Sequence, residues 1–200
     1  MGRHGFSNAY YELKPEFTMN KYLKWSLIIA VVLGGGLYIA YLAMINHTKS
    51  FSPEETITYN LNGYDIEVYY NRPYKKERKI FGGLVPYGKV WRTGANEATT
   101  FNTVSDLTID GKTLPAGKYT LWTIPDADSW TVIFNSEQYS WGVNRNGVTR
   151  EAEYDVMQVK VPVEQLSSIV EQFTIALEDQ NEKPALTLAW DQTKVSVPLQ

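Results

Sequence analysis

An uninterrupted apolar segment near the N-terminus constrains this chain more than any other feature of its sequence. Residues 25–45 read WSLIIAVVLGGGLYIAYLAMI; they include no charged side chain, and Ser26 is their only strongly polar residue. A helix of this length extends over about 32 Å at ~1.5 Å per residue, which matches the hydrocarbon core of a bilayer. Residues 25–45 therefore predict a transmembrane α-helix in contact with the lipid bilayer.

The competing interpretation of this segment is a cleaved signal peptide. Signal peptides carry an apolar region of ~7 to 15 residues that ends in a small-x-small cleavage site. The segment here is longer, and Tyr38 and Tyr41 occupy positions near its end where a cleavage site would require small residues. The chain also contains no Cys, which excludes a lipoprotein cleavage box. A retained signal anchor is therefore favoured over a cleaved signal.

The basic residues that flank the apolar segment predict its orientation. Lys14, Lys21 and Lys24 precede the segment, and only Lys49 follows it closely. The positive-inside tendency therefore places the N-terminus in the cytoplasm and the C-terminal domain in the periplasm. We expect a single-pass protein of the cell inner membrane.

The apolar segment also divides the chain. We expect a cytoplasmic tail over residues 1–24, the transmembrane helix over 25–45, a polar linker over 46–55 and an exported domain over 56–200. Met19 begins a short basic lead into the apolar segment. The first 18 residues are therefore interpreted as an extended gene start or as a disordered cytoplasmic tail.

The composition beyond the apolar segment excludes several classes of function. Residues 51–200 carry 14 Lys or Arg and 20 Asp or Glu, and an acidic domain repels the phosphate backbone of a nucleic acid. The chain has no Cys, and its two His residues, His4 and His47, precede the predicted domain. Ser-His and Cys-His nucleophile pairs and His or Cys zinc sites are therefore excluded there. We expect no nucleic acid partner, no metal and no cofactor.

Turn signals between short alternating segments predict the fold class. Asn62-Gly63 lies between β-rich runs, as in two-residue type I′ hairpins, and Asp110-Gly111 is a second such signal. Asp191 to Thr193 are interpreted as a short hairpin turn, and only Val163 to Val170 look helical. We therefore predict an all-β domain of about eight or nine strands, an antiparallel β-sandwich or jelly roll, after one transmembrane helix.

The stretch GLVPYGKV at residues 83–90 comes close to a phosphate-binding P-loop. A P-loop requires Ser or Thr after its Gly-Lys pair, and a helix whose N-terminus contacts the phosphates. Here Val90, which has no hydroxyl, occupies the position of the required Ser or Thr, and Pro86 lacks a backbone N–H that could bind a phosphate. Gly94 follows so soon after Val90 that not even one turn of helix fits between them. We therefore expect no nucleotide partner.

A longer segment around this stretch resembles a known family. Residues 78–101, RKIFGGLVPYGKVWRTGANEATTF, closely resemble the signature of a bacterial envelope family called domain of unknown function 2911. The resemblance continues through LPAGKYTLWTIP, WTVIFN, the pair Trp141-Gly142 and LTLAWDQTKVSVP, and covers about residues 57–199. It implies an exported, mostly β domain, commonly behind a signal sequence, and brings no established activity.

The signature contains the candidate ligand-binding loop. Arg92 is a planar fork suited to a carboxylate or phosphate, Asn96 is a donor and acceptor, and Glu97 is a base or hydrogen-bond acceptor. The alternative is that Arg92 and Glu97 pair with each other or cap exposed backbone. No catalytic residue is assigned. The candidate ligand-binding residues are Tyr87, Lys89, Trp91, Arg92, Asn96, Glu97, Trp122 and Trp141.

The tryptophans of the domain fall into two groups. Trp130 and Trp190 are in phase with apolar neighbours and are predicted to lie in the core. Trp91, Trp122 and Trp141 are candidates for an aromatic groove that binds sugar rings, with core or rim packing as the alternative for each.

Three functions remain open from the sequence. The favoured one is a binding or accessory module for an envelope protein or glycan. The second is a glycan hydrolase that uses two carboxylates, with Glu97, Asp126, Asp128 and Asp155 as candidates; Asp126 and Asp128 are alternatively oxygen ligands for Ca²⁺. The third is a structural subunit of a membrane complex, contacted through the transmembrane helix.

Overall fold

A computed structural model describes residues 19–144, 146–180 and 182–200. Of these described residues, those up to Met44 form one compact unit and those from Ile45 onward form a second. The predicted extended start, residues 1–18, lies outside the described residues.

Helix α1, Lys21–Ser50, contains the whole apolar segment and continues five residues beyond it. It begins where Asn20 Oδ1 accepts a hydrogen bond from the backbone N–H of Tyr22 at 3.0 Å, an N-terminal cap. Its most apolar 18-residue window has a mean hydropathy of 2.3, and none of that window is buried. The helix is therefore long and apolar enough to cross a membrane, as an anchor or as a signal sequence.

The rest of the described chain is mostly β-structure, and all of its paired strands are antiparallel. The strands are β1 (Glu54–Tyr59), β2 (Ile66–Asn71), β3 (Thr100–Thr103), β4 (Leu107–Ile109), β5 (Lys112–Leu114), β6 (Gly117–Pro125), β7 (Ser129–Asn135), β8 (Val143–Asn144), β9 (Gly147–Val148), β10 (Asp155–Pro162), β11 (Glu164–Asp179) and β12 (Pro184–Pro198). A 3₁₀ turn at Ala152–Tyr154 precedes β10. The prediction of a mostly β chain after one apolar helix is confirmed, with more strands than expected because several have only two or three residues.

The strands form one large sheet and three pairs. The large sheet has the order β1-β2-β3-β6-β7-β10, and the pairs are β11-β12, β4-β5 and β8-β9. Residues from the large sheet and from the β11-β12 pair share one hydrophobic core. The Tyr70 hydroxyl of β2, for example, donates to the carbonyl of Ile175 in β11 at 3.1 Å. Trp130 and Trp190 are 0% and 1% exposed, so their predicted place in the core is confirmed.

Two local predictions in the β11-β12 pair were wrong. Val163–Val170, which looked helical, lies almost entirely in β11, and Asp191–Thr193, interpreted as a hairpin turn, lies inside β12. Asp191 has a φ of 56° and pairs with Val170 between two shifts of register. The long strands are set by pairing with each other, because cross-strand contacts override weak local preference.

The two Gly-containing turn signals had different outcomes. Asp110-Gly111 forms the predicted two-residue turn between β4 and β5, with both φ angles positive, 49° and 71°. Asn62-Gly63 also has positive φ angles, 54° and 84°. However, it lies at the centre of a longer loop, because β1 and β2 stop pairing at Tyr59 and Ile66. At Asn62-Gly63 a turn was therefore predicted correctly, but the two-residue hairpin predicted there is not formed.

Candidate functional site

The family-like signature forms the irregular connection between β2 and β3. Its first part is a tight loop in which the Gly82 N–H donates to the Val85 carbonyl and the Val85 N–H to the Ile80 carbonyl, both at 2.9 Å. A Cβ on Gly83 would lie 2.6 Å from the Lys79 carbonyl oxygen, so only glycine fits there. No helix follows in residues 83–99, all of which the structure describes. The loop therefore lacks the strand-loop-helix arrangement of a P-loop.

Trp91 anchors the signature to the core. Its backbone N–H donates to the carbonyl of Thr123 in β6 at 2.7 Å, and the Thr123 N–H donates back at 3.0 Å. The Trp91 ring stacks on Trp190 at 5.9 Å and contacts the edges of Phe173 and Trp130 at 5.0 and 6.2 Å. Trp91 is only partly buried, so one part of the ring packs in the core and another part is accessible.

A cavity of about 690 Å³ opens beside Trp91, and we call it the signature cavity. Its apolar lining includes Phe51, Leu84, Val85, Trp91 and Trp190, and its charged lining consists of Lys76, Arg78, Lys89 and Arg92. The residues that the structure places around it include no Asp or Glu. A cavity with four cationic side chains thus lies in a region of the chain that carries more acidic than basic residues overall.

Arg92 is the half-buried cation of the signature cavity. Its Nε donates to the Gly94 carbonyl at a long 3.4 Å, and Arg92 forms no ion pair with any residue that the structure describes. Burial lowers the pKa of its guanidinium below the ordinary value, although an arginine remains charged at neutral pH. Gly142 lies directly against this side chain: a Cβ there would be 2.6 Å from the Arg92 Cβ. Glycine at that position therefore makes room for Arg92.

The other three cations of the cavity also lack carboxylate partners among the described residues. Arg78 donates from Nη2 to the Tyr74 carbonyl and from Nε to the Lys75 carbonyl, and Lys76 Nζ lies 5.1 Å above the ring of Phe51. Lys89 is exposed. Among the described residues, none of the four cations of the cavity thus forms an ion pair with a carboxylate.

Glu97 is held in a separate network. Its Oε1 lies 2.7 Å from Lys49 Nζ, and Lys49 Nζ also lies 2.8 Å from Glu54; we call Lys49, Glu54 and Glu97 the Lys49 clamp. The second oxygen of Glu97 accepts a hydrogen bond from Asn71 Nδ2 at 3.0 Å. The hydrogen bonds from Lys49 and Tyr69 lower the pKa of Glu54 below its ordinary value of 4.5. The Arg92–Glu97 pair, one of the alternatives from the sequence, is therefore not formed.

Asn96 joins the Lys49 clamp to the cavity. Its amide nitrogen donates to Asn71 Oδ1 and to the Ser52 carbonyl, both at 3.4 Å, and both Asn96 and Ser52 line the signature cavity. Glu97 instead faces a polar cleft of about 630 Å³ with Glu67, Lys118 and Tyr139 among its lining residues. The structure thus places Arg92 and Glu97 in different clefts.

A comparison with known protein families identifies the β-rich part of the chain. The family described as protein of unknown function (DUF2911) matches residues 52–199. The chain belongs to the DUF2911 family. No curated protein and no solved structure gives a significant match. The DUF2911 match covers every lining residue of the signature cavity except Thr48 and Phe51, and it leaves Lys49 of the clamp outside.

The eight predicted ligand-binding residues of the DUF2911 domain are not all together. Lys89, Trp91, Arg92 and Asn96 line the signature cavity, and Glu97 lines the polar cleft. Tyr87, Trp122 and Trp141 line neither. Trp122 is fully buried, with its indole N–H donating to Thr120 Oγ1 at 3.1 Å, whereas Trp141 is 38% exposed.

Sequence reasoning missed two parts of the signature cavity. One is the chain just after the apolar segment, which contributes Thr48, Phe51 and Ser52. The other is the charged loop that contributes Lys76 and Arg78. The basic run at residues 75–79, which overlaps the start of the signature in an otherwise acidic DUF2911 domain, is the sequence signal that identifies this part of the cavity.

The other candidate carboxylates of the DUF2911 domain have structural partners. Asp155 is bound by Arg150 and accepts from Asn135 Nδ2 at 2.9 Å. Although burial raises the pKa of Asp155, the hydrogen bonds from Arg150 and Asn135 outweigh it and leave this pKa below its ordinary value. Asp126 and Asp128 lie in the turn between β6 and β7. Within the described residues, no group of three His, Cys, Asp or Glu side chains lies close enough to hold a metal ion.

Proposed function

We propose that this DUF2911 protein is a membrane-anchored, periplasmic binding module whose ligand occupies the signature cavity. The observation that carries the proposal is the combination in one cavity of an apolar floor with Lys76, Arg78, Lys89 and Arg92, without a carboxylate among its described lining residues. Cations that have no internal carboxylate partner attract an anion, and a half-buried guanidinium binds carboxylates and phosphates in a defined geometry. The bound group therefore carries negative charge.

We further propose that the two larger sheets form a β-sandwich that presents this cavity. Support comes from the core that they share, where the Tyr70 ring packs edge-on against Phe173 at 5.9 Å. A scaffold of packed sheets holds the loops of the cavity in place, so a ligand is bound with little reorganisation.

The contacts of Lys49 support a retained anchor rather than a cleaved signal. Lys49 lies in the last turn of α1 and pairs with Glu54 and Glu97 of the β-rich unit. A cut after Lys49 would remove the lysine from the clamp, and a cut just before it would place the lysine at or close to a free N-terminus. Retention also holds the cavity near the membrane, which raises its effective concentration toward envelope ligands.

Binding explains the geometry better than glycan hydrolysis. A two-carboxylate hydrolase requires a general acid with a raised pKa and a second carboxylate about 5 to 9.5 Å away. The pKa of Asp155 is lowered, and both oxygens of Glu97 are engaged by Lys49 and Asn71. The signature cavity itself is lined by cations, so its chemistry is recognition of an anion.

The test uses the full-length protein in a nonionic detergent and two soluble probes. Naphthyl phosphate combines an anion with an apolar ring, and naphthyl glucoside presents the same ring with a neutral sugar. We expect saturation-transfer NMR to detect binding of the phosphate, with an affinity about tenfold lower in Arg92→Gln and in Lys89→Gln, because each removes a charge-assisted contact.

The matched control is Lys118→Gln, which removes the same charge from the polar cleft. It should leave the affinity for naphthyl phosphate unchanged. Preferential binding of the glucoside would make the ligand a neutral glycan. Equal binding by wild type and both cavity variants would show that the cavity is not the site, and would leave the predicted complex subunit as the better function.

A further inference from the structure

The signature cavity takes one wall from the chain that leaves the apolar segment. Thr48, Phe51 and Ser52 line the cavity, and the apolar segment ends at Ile45. Five further helical residues at ~1.5 Å and two extended residues at ~3.5 Å place Ser52 within about 15 Å of Ile45. The headgroup layer on each side of a bilayer is roughly 5 to 8 Å thick. If α1 spans the membrane, this wall lies at or just beyond the headgroups.

The Lys49 clamp holds that wall against the signature. Lys49 and Glu54, which flank the wall residues Phe51 and Ser52 in the sequence, form an ion pair, and Lys49 also pairs with Glu97 of the signature. Asn96 adds a hydrogen bond to the Ser52 carbonyl. Side chains of the signature therefore hold the wall in place, and the cavity is formed by specific contacts between the end of α1 and the signature.

The cavity surface is amphipathic. Phe51 and Leu84 are large apolar side chains that remain about half exposed, at 51% and 48%, and the accessible part of Trp91 lies beside them. The cations Lys89 and Arg92 come from the same loop as Leu84 and Trp91. A simple inorganic anion would use the cations and leave this apolar surface in water, whereas an amphiphile covers both.

The volume fits part of a lipid. Sites for small organic ligands have volumes of roughly 300 to 1,000 Å³, and the signature cavity has about 690 Å³. Such a volume accommodates a headgroup and the first part of one chain, while the remainder stays in the bilayer. If α1 spans the membrane, lipids are also present next to the wall of the cavity.

We infer that the ligand of the signature cavity is an anionic membrane lipid, whose phosphate or carboxylate headgroup contacts Arg92 and Lys89 and whose apolar part lies on Trp91, Leu84 and Phe51. This inference rests on the proposed binding function and adds to it the chemical class and the source of the ligand.

The experiment is a competition in which soluble lipids displace naphthyl phosphate from the full-length protein in nonionic detergent. The competitors are dihexanoyl phosphatidylglycerol, dihexanoyl phosphatidylcholine and inorganic phosphate. We expect the anionic lipid to displace the probe at concentrations at least tenfold lower than either of the others, because only it satisfies both the cations and the apolar floor.

Variants assign the effect to the cavity. Lys89→Gln, an exposed position, should weaken displacement by the anionic lipid about tenfold, and Phe51→Ser should weaken it severalfold without affecting inorganic phosphate. Lys118→Gln, in the polar cleft, should match the wild type. Arg92→Lys retains the charge but loses the planar fork, and should lie between wild type and Lys89→Gln.

Several results would overturn the inference. Equal displacement by the anionic and zwitterionic lipids removes the charge requirement, and displacement by inorganic phosphate as strong as by the lipid makes a free anion the ligand. In these cases the binding function survives. If naphthyl phosphate binding itself is independent of Arg92 and Lys89, both proposals fail.

Discussion

Arg92 and Glu97 lie five residues apart in the same signature and have opposite surroundings. Both oxygens of Glu97 are engaged, by Lys49 and by Asn71, while Arg92 has one long hydrogen bond and no ion pair within the described residues. A charge with internal partners contributes to holding the structure, and a half-buried charge without them is available for a ligand. The comparison therefore supports the proposal that Glu97 positions the structure and that Arg92 contacts the ligand.

Trp91 lies where the signature cavity meets the core, and its removal should have the largest effect. Trp91→Ala deletes a ring that contacts Trp190, Phe173 and Trp130, so we expect the free energy of unfolding to fall by about 3 to 5 kcal/mol. Urea unfolding of the full-length protein measures this. Trp141→Ala, at an exposed position, is the control and should cost under about 1 kcal/mol.

Gly142 tests whether Arg92 needs its present position. In Gly142→Ala the new Cβ would meet the Arg92 side chain at 2.6 Å, so we expect a loss of about 1 to 3 kcal/mol in the free energy of unfolding and a weaker affinity for naphthyl phosphate. Gly117→Ala is the matched control, because its Cβ would make an ordinary 3.4 Å contact with Tyr119. Unchanged affinity in Gly142→Ala would argue against Arg92 as a ligand contact.

Replacing the two charges by glutamine compares them directly. Glu97→Gln should lower the free energy of unfolding by about 1 kcal/mol, since it breaks a partly exposed ion pair. Arg92→Gln should change it by less than about 0.5 kcal/mol without ligand, because no described partner is lost. Affinity for naphthyl phosphate should show the reverse order. If Arg92→Gln is the more destabilising of the two variants, the proposed division between a positioning Glu97 and a ligand-binding Arg92 is wrong.

The smallest expected effect is a difference between the Lys49 clamp and the signature cavity in how their contributions to stability depend on pH. The pKa of Glu54 is lowered in the folded state, so its contribution is present above 4.5 and is lost as the pH falls through the folded-state pKa. The difference in unfolding free energy between wild type and Lys49→Met should therefore shrink below about pH 4.5. The difference between wild type and Arg92→Gln should stay constant from about pH 4 to 8, because no carboxylate faces Arg92 in the described cavity. Acid titration of the urea midpoints measures both.

Local signals were sufficient for much of the fold. The apolar segment became helix α1, the Asp110-Gly111 pair made its predicted turn, and Trp130 and Trp190 lie in the core as their phase indicated. The failures were at the β11-β12 pair, where Val163–Val170 are strand and Asp191 is inside a continuous strand. There the conformation depends on a partner strand about 20 to 30 residues away, which a local pattern does not specify.

The candidate site was only half predictable. Lys89, Trp91, Arg92 and Asn96 were selected from the signature and do line one cavity. Which cleft each side chain enters was decided by the backbone turns between Arg92 and Glu97, where Thr93 and Asn96 have positive φ angles of 55° and 52°. Such turns reverse side-chain directions within a few residues, so spacing in the sequence does not predict shared surroundings.

By itself, the amino-acid sequence determined the properties that reside in single segments: a helix long enough for a bilayer, a β-rich domain without Cys, and membership of a signature family. Only the tertiary structure decided the pairings. It joined Glu97 to Lys49 instead of Arg92, and it brought Lys76 and Arg78 from one loop to Lys89 and Arg92 on another, against the wall formed by Phe51. The physical reason is that charge pairing and cavity shape depend on distances between side chains that are remote in the chain, and those distances exist only once the sheets have formed.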